Sequence, residues 1–134
     1  MKTTTAVVIG FALLGAAAPA GAHHSFAAEF DGKKRIQLVG TVTKVEWMNP
    51  HVWFYLDVKD PSTGTPVSWG AEMGSPNSLM RSGWTRNMLQ VGMTVTVDGS
   101  LAKDGSNRLN ASTVTVDGKK LGAASSEGDR GERP

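Results

Sequence analysis

The sequence predicts an all-β domain in which one short helix separates the third and fourth of five strands. Three observations lead to this prediction. Apolar and polar residues alternate along 52–59, prolines and glycines punctuate the apolar runs, and a serine followed by proline marks the start of a helix. In the alternating segment the apolar face would carry Val52, Phe54, Leu56 and Val58.

The first strand precedes that segment and is irregular. The chain from Ile36 to Trp47 is rich in β-branched residues, but Val42 and Val45 stand three positions apart. This spacing breaks the period of two and predicts a bulge near residues 43–44. Asn49-Pro50 then forms the turn to the second strand, because proline cannot extend a central strand.

The third strand and the helix follow the turn at 60–64. Val67 to Met73 is predicted as the third strand. Ser75 is a suitable N-cap and Pro76 a suitable first helical residue, so a short helix is expected from Pro76 to Arg81. Gly83 is a plausible stop signal for it.

The last two predicted strands alternate along 93–101 and 111–117, with turn residues at 103–107 between them. Three strands, one helix and two strands is the element order of an OB-like barrel, which we predict for this domain. A small Greek-key sandwich is the main alternative.

Residues 1–22 have the features of a secretory signal peptide. Lys2 precedes an apolar run at 6–14, and Ala20-Gly21-Ala22 fits the small-residue cleavage rule. The apolar run is too short to span a bilayer. We therefore predict a periplasmic or secreted protein with no membrane span after signal cleavage.

The rest of the chain is predicted to contain one domain. Residues 23–32 would be an N-terminal arm, 33–122 the OB-like domain, and 123–134 a disordered tail, because this last segment consists of small, polar and charged residues. The absence of cysteine excludes disulfides and thiolate ligands. The formal net charge is +2 and the only basic run is 33–35, which we interpret as a solvated strand edge, so no nucleic-acid partner is expected.

Five sequence blocks resemble a known family. They are Ala22-His23-His24-Ser25-Phe26, the segment 40–47, Asn49-Pro50-His51, Gly74-Ser75-Pro76-Asn77 and Gly83-Trp84-Thr85-Arg86-Asn87. In this order they resemble the small exported bacterial proteins of domain-of-unknown-function family 6152. The resemblance covers nearly the whole chain after the predicted signal peptide. It implies an exported protein and assigns no activity.

The three histidines suggest a copper site. If cleavage follows Ala22, His23 offers both its α-amine and its ring nitrogen to a metal ion, and His24 or His51 could supply a third nitrogen, a donor set suited to Cu(II). If it follows Ala20, the start Gly21-Ala22-His23 could wrap a square-planar Cu(II) or Ni(II) ion. The alternative interpretation is that the histidines only form a soluble, flexible start of the mature chain.

The role of His51 depends on the arm. His51 lies beside Pro50 in the predicted turn, and a three-histidine site requires the arm to fold over that turn. The residues expected to anchor the arm there are Phe26, Ala27, Ala28 and Phe30.

Aromatic residues suggest a second kind of site. Trp53 and Tyr55 lie opposite the apolar stripe of the second strand, and Trp69 lies in the third strand. Together they could bind a peptide, a glycan or an envelope protein, since OB barrels commonly present such platforms. The simpler interpretation is core packing, or a cover for the arm.

Other chemistry is weakly indicated. Glu72 and the methionines could supply oxygen or thioether ligands. The methionines show no ligand spacing, so we expect core or edge packing for Met48, Met73, Met80, Met88 and Met93. The sequence shows no nucleophile elbow, no marked carboxylate pair and no phosphate loop. Enzymatic activity, including that of a copper oxidase, is therefore not favoured, and we assign no catalytic residue.

Overall fold

The computed structural model describes residues 26–128, which form a mainly β structure. Its elements in chain order are α1 (Phe26–Glu29), β1 (Phe30–Glu46), β2 (Trp53–Lys59), β3 (Pro66–Glu72), α2 (Pro76–Arg81), β4 (Thr94–Ala102), β5 (Arg108–Val116), β6 (Lys119–Gly122) and a final 3-10 turn (Ser126–Gly128). In this part of the chain no helix is long and apolar enough to cross a membrane.

The strands form one sheet that closes into a hydrogen-bonded ring. β1 pairs with β2 and β4, β2 with β3, and β4 with β5, all antiparallel. A parallel pairing of β3 with β5 completes the ring. The described chain is therefore barrel-like, with α2 between β3 and β4 as predicted, and it does not divide into the two sheets of a sandwich.

β1 is longer than predicted but has the expected irregularity. Its pairing with β2 shifts between Val42 and Lys44, which confirms the predicted bulge. The strand begins at Phe30 because this buried ring lies opposite Ala102 of β4. A second register shift, between Phe30 and Arg35, coincides with the exposed basic run at 33–35.

β6 is a strand that we did not predict. It pairs with the end of β5 through a two-residue loop, Asp117-Gly118, in which both residues have positive φ. Lys119 and Lys120 are exposed, and Leu121 is its buried apolar residue. So few apolar residues give no periodic signal in the sequence.

The core confirms the predicted apolar face of β2. Val52, Phe54 and Leu56 are completely buried, whereas Val58 is half-buried near the strand end. Leu79 of α2 and Trp84 beyond it join the same core. The Trp84 indole Nε1 donates to the Gly122 carbonyl oxygen at 2.8 Å, which ties the segment after α2 to β6.

Residues assigned to the tail by sequence also contact the ring of strands. Ala123 is buried, its N–H donates to the Ser112 carbonyl, and its carbonyl accepts from the Gly74 N–H. Glu127 pairs with Arg35 at 3.2 Å. These contacts join residues far apart in the chain, so the tail's composition gave no sign of them.

Candidate functional site

His51 is the predicted metal ligand that lies within the described residues; His23 and His24 lie outside them. It follows the cis Asn49-Pro50 peptide in the link between β1 and β2. Its side chain is 32% exposed, and its Nδ1 atom lies 3.4 Å from Oε1 of Glu72. The imidazole therefore turns one nitrogen toward a carboxylate.

Glu72 is a buried acid at the end of β3. Its side chain is 8% exposed, and Oε1 accepts a 3.2 Å hydrogen bond from Nδ2 of Asn110 on β5. Burial raises the pKa of Glu72; the His51 charge and the Asn110 hydrogen bond oppose this, and the negative charge of Glu29 adds to it. The sequence pointed to Glu72 only weakly and did not point to Asn110, because Asn110 lies between Leu109 and Ala111, where alternation expects a polar residue.

The pair lies in a cleft of about 260 Å³. The cleft is lined by α1, four strands (β1, β2, β3 and β5) and the β1–β2 link. The lining residues are Glu29, Glu46, Met48, Asn49, Pro50, His51, Trp53, Glu72 and Arg108. Because Glu29 belongs to α1, the described end of the arm and the turn that carries His51 meet at this cleft. The three-histidine hypothesis requires that proximity.

Two phenylalanines anchor α1. Phe26 and Phe30 are buried with their ring centroids 5.8 Å apart, and they pack with Ala102 and Trp53 in a cluster separate from the main core. Phe26 and Phe30 thus hold α1 against the sheet, at Ala102 and Trp53 and not at the turn that carries His51. Ala27 and Ala28 are exposed, so their predicted anchoring role was wrong, because a single helical turn presents only one side to the sheet.

The predicted aromatic platform is only partly assembled. Trp53 and Tyr55 stack on the outer face, with ring centroids 6.5 Å apart and planes at 19°. Gly70 lies opposite Tyr55, and a Cβ there would approach the phenol ring to 3.3 Å. Trp69 is paired with Leu56 and packs against the main core, so it lies on the other face from Trp53 and Tyr55.

The methionines divide into two groups. Met73 is in the core, and Met88 and Met93 pack against it. Met80 and Met48 are 52% and 57% exposed, so neither is a core residue. Met48 lies on the cleft beside His51.

The described residues hold no ready-made set of nitrogen and oxygen donors for a metal ion. Between residues 26 and 128, no three or more His, Asp or Glu side chains are grouped so that they could hold a metal ion. A copper site at His51 would need further donors, for example from the N-terminal histidines or from sulfur.

Residues 12–110 match the family model of DUF6152, described as a family of unknown function. The chain belongs to this family. The DUF6152 match includes every residue that surrounds the cleft. No curated protein matches the sequence.

Two solved structures show partial similarity. One is a complex of TiaS with an isoleucine tRNA and ATP, with 23% identity over 64% of this chain and 18% of that chain, at a TM-score of 0.47. The other is a ZRD-deleted mutant of TiaS in complex with agmatine, with 22% identity over 64% of this chain and 22% of that chain, at a TM-score of 0.43. This chain thus spans less than a quarter of either structure, and the likeness carries no argument about function.

Proposed function

We propose that this protein is exported and binds one copper ion at the cleft. The donors would be the α-amine and ring of His23 in the mature chain, with His24 and His51. The observation that carries the proposal is that Glu29 of α1 and His51 lie on the same cleft. His24 is two residues from Phe26, a span of about 7 Å at most.

The surroundings of His51 suit a metal ligand. Histidine ligands commonly donate their second ring N–H to a carboxylate, which fixes the tautomer and orients the ring. Glu72 faces Nδ1 at 3.4 Å, so Nε2 is the nitrogen left for the metal. Glu29 and Glu46 add further acidic groups to the cleft, and nitrogen-rich donor sets favour Cu(II).

The proposal depends on export, because signal cleavage would release the amine. Mass spectrometry of the secreted product should show a chain that begins at His23, and this chain should bind one equivalent of Cu(II) by calorimetry. The uncleaved precursor and His23→Ala should not bind. A chain that begins at Gly21 would instead bind through Gly21-Ala22-His23.

His51 separates a cleft site from a purely terminal one. His51→Gln should weaken Cu(II) binding by at least about tenfold, because even outer-shell partners of a metal site typically contribute this much. Binding of Cu(II) by His51→Gln at the wild-type affinity would place the metal away from the cleft.

A second candidate function is a non-catalytic binding module for a peptide, a glycan or an envelope protein. It is supported by the stacked Trp53 and Tyr55 rings on the outer face. Titration with soluble oligosaccharides and peptides should then quench tryptophan fluorescence. Tyr55→Leu should lose this response, and His23→Ala should retain it. Retention by Tyr55→Leu would argue against the module.

A further inference from the structure

Met48 is exposed and lies outside both apolar clusters of the described residues. The residue is 57% exposed, and it borders the cleft together with His51. The two residues flank Asn49-Pro50 on the link between β1 and β2. An apolar, oxidisable side chain exposed beside carboxylates contributes little to folding, since methionine stabilises proteins mainly by filling gaps in cores.

The other methionines between residues 26 and 128 either pack against the core or lie away from the cleft. The Met88 and Met93 sulfur atoms accept backbone N–H groups of Thr85 and Gln90, at 3.2 and 3.3 Å. Met80 is exposed to a similar degree as Met48, but it lies on α2 and does not line the cleft. Met80 is therefore a matched control for Met48.

We propose that the Met48 sulfur and His51 Nε2 form a soft-donor pair that binds Cu(I) in the cleft. Thioethers favour Cu(I), and imidazole binds copper in either oxidation state. Glu29, Glu46 and Glu72 line the same cleft, where Arg108 and the Lys44 partner of Glu46 offset part of their charge.

This inference rests on the proposed function for the identity of the metal, but it does not need the N-terminal amine. The same cleft would hold Cu(II) through the terminal nitrogens and His51, and Cu(I) through Met48 and His51. The protein would thereby retain copper in both oxidation states. The pair does not reduce the metal. An external reductant would determine whether copper reaches the cleft as Cu(I) or Cu(II).

The test uses the mature protein with two probes. Cu(I) is measured anaerobically by competition with bathocuproine disulfonate, and Ag(I) serves as a redox-inert analogue. Met48→Leu should weaken both affinities by at least about tenfold, by comparison with the loss typical of outer-shell partners. It should leave Cu(II) affinity nearly unchanged. Met80→Leu should change none of the three.

A second measurement is independent of affinity. In wild-type protein, Ag(I) should shift the Met48 methyl resonance in a ¹H–¹³C spectrum and leave that of Met80 in place. His23→Ala should still bind Ag(I), because the pair does not use the amine. Circular dichroism of Met48→Leu should match the wild type, since the side chain is exposed.

The outcomes separate the two proposals. Unchanged Cu(I) and Ag(I) affinity in Met48→Leu, an equal loss in Met80→Leu, or no binding of either ion by the wild type would overturn the Met48 inference, even if Cu(II) binds as proposed. If the wild type does not bind Cu(II) but binds Ag(I) in a way that depends on Met48, the Cu(II) proposal is overturned and the soft-donor pair is supported.

Discussion

At the scale of single residues, Glu72 combines burial with charged neighbours. Its carboxyl group lies on the outer side of β3, yet contacts with His51 and Asn110 accompany almost complete burial. Burial raises its pKa, so the folded protein holds the Glu72 proton more tightly than the unfolded chain does. Removal of His51 would leave Glu72 without the imidazole that lies 3.4 Å from its Oε1 atom.

The pKa shift makes a prediction about stability and pH. The contribution of Glu72 is fully present below its unfolded pKa of about 4.3 and is lost as the pH rises through the higher folded pKa. Glu72→Gln has no titrating group at this position. The free energy of unfolding of the wild type should therefore fall relative to that of Glu72→Gln as the pH rises above the unfolded pKa, as measured by urea unfolding. A constant difference, or one of opposite sign, would contradict the burial effect.

At the scale of elements, short segments follow their local signals. The Ser75 hydroxyl oxygen accepts the Ser78 N–H at 3.2 Å, and Pro76 begins α2, as the sequence predicts. The alternation in β2 and the bulge in β1 are also present. In contrast, α1 and β6 are too short to show a period. Their positions depend on the burial of Phe26, Phe30 and Leu121.

The N-cap of α2 can be tested directly. Ser75→Ala should lower the free energy of unfolding by about 1 kcal/mol, because the Ser78 N–H loses its acceptor. Asn77→Ala is a suitable control, since Asn77 is exposed in the same helical turn, and it should change stability by less than about 0.5 kcal/mol. Equal effects of the two substitutions in chemical denaturation would show that the cap is not a source of stability.

At the scale of the whole molecule, both ends of the described chain approach the buried carboxyl group of Glu72. Glu29 from α1 borders the cleft, and Ser125 and Ser126 hydrogen-bond to Asn110, which contacts Glu72. The N–H of Gly74 and the carbonyl of Ser112 bond to Ala123. The buried acid is therefore enclosed by segments from opposite ends of the chain.

Two truncations measure this contribution. Removal of 129–134 should leave stability unchanged within about 0.5 kcal/mol, as for surface changes. Removal of 123–134 should destabilise the protein by about 2 to 3 kcal/mol, since two backbone hydrogen bonds and a buried alanine are lost. Thermal and urea unfolding of the two truncated proteins would show the difference, and equal stabilities would mean that 123–128 contribute nothing.

The barrel-like class was accessible from the sequence because alternation, proline turns and helix caps are local properties of a few neighbouring residues. Three other features were not accessible in this way. They are the contact of His51 with Glu72, the location of Trp69 and Trp53 on opposite faces of the sheet, and the position of Met48 on the cleft. Each depends on strand register and on contacts between distant segments. A one-residue change of register reverses the face of every side chain in a strand, so only the assembled sheet determines which of these groups meet.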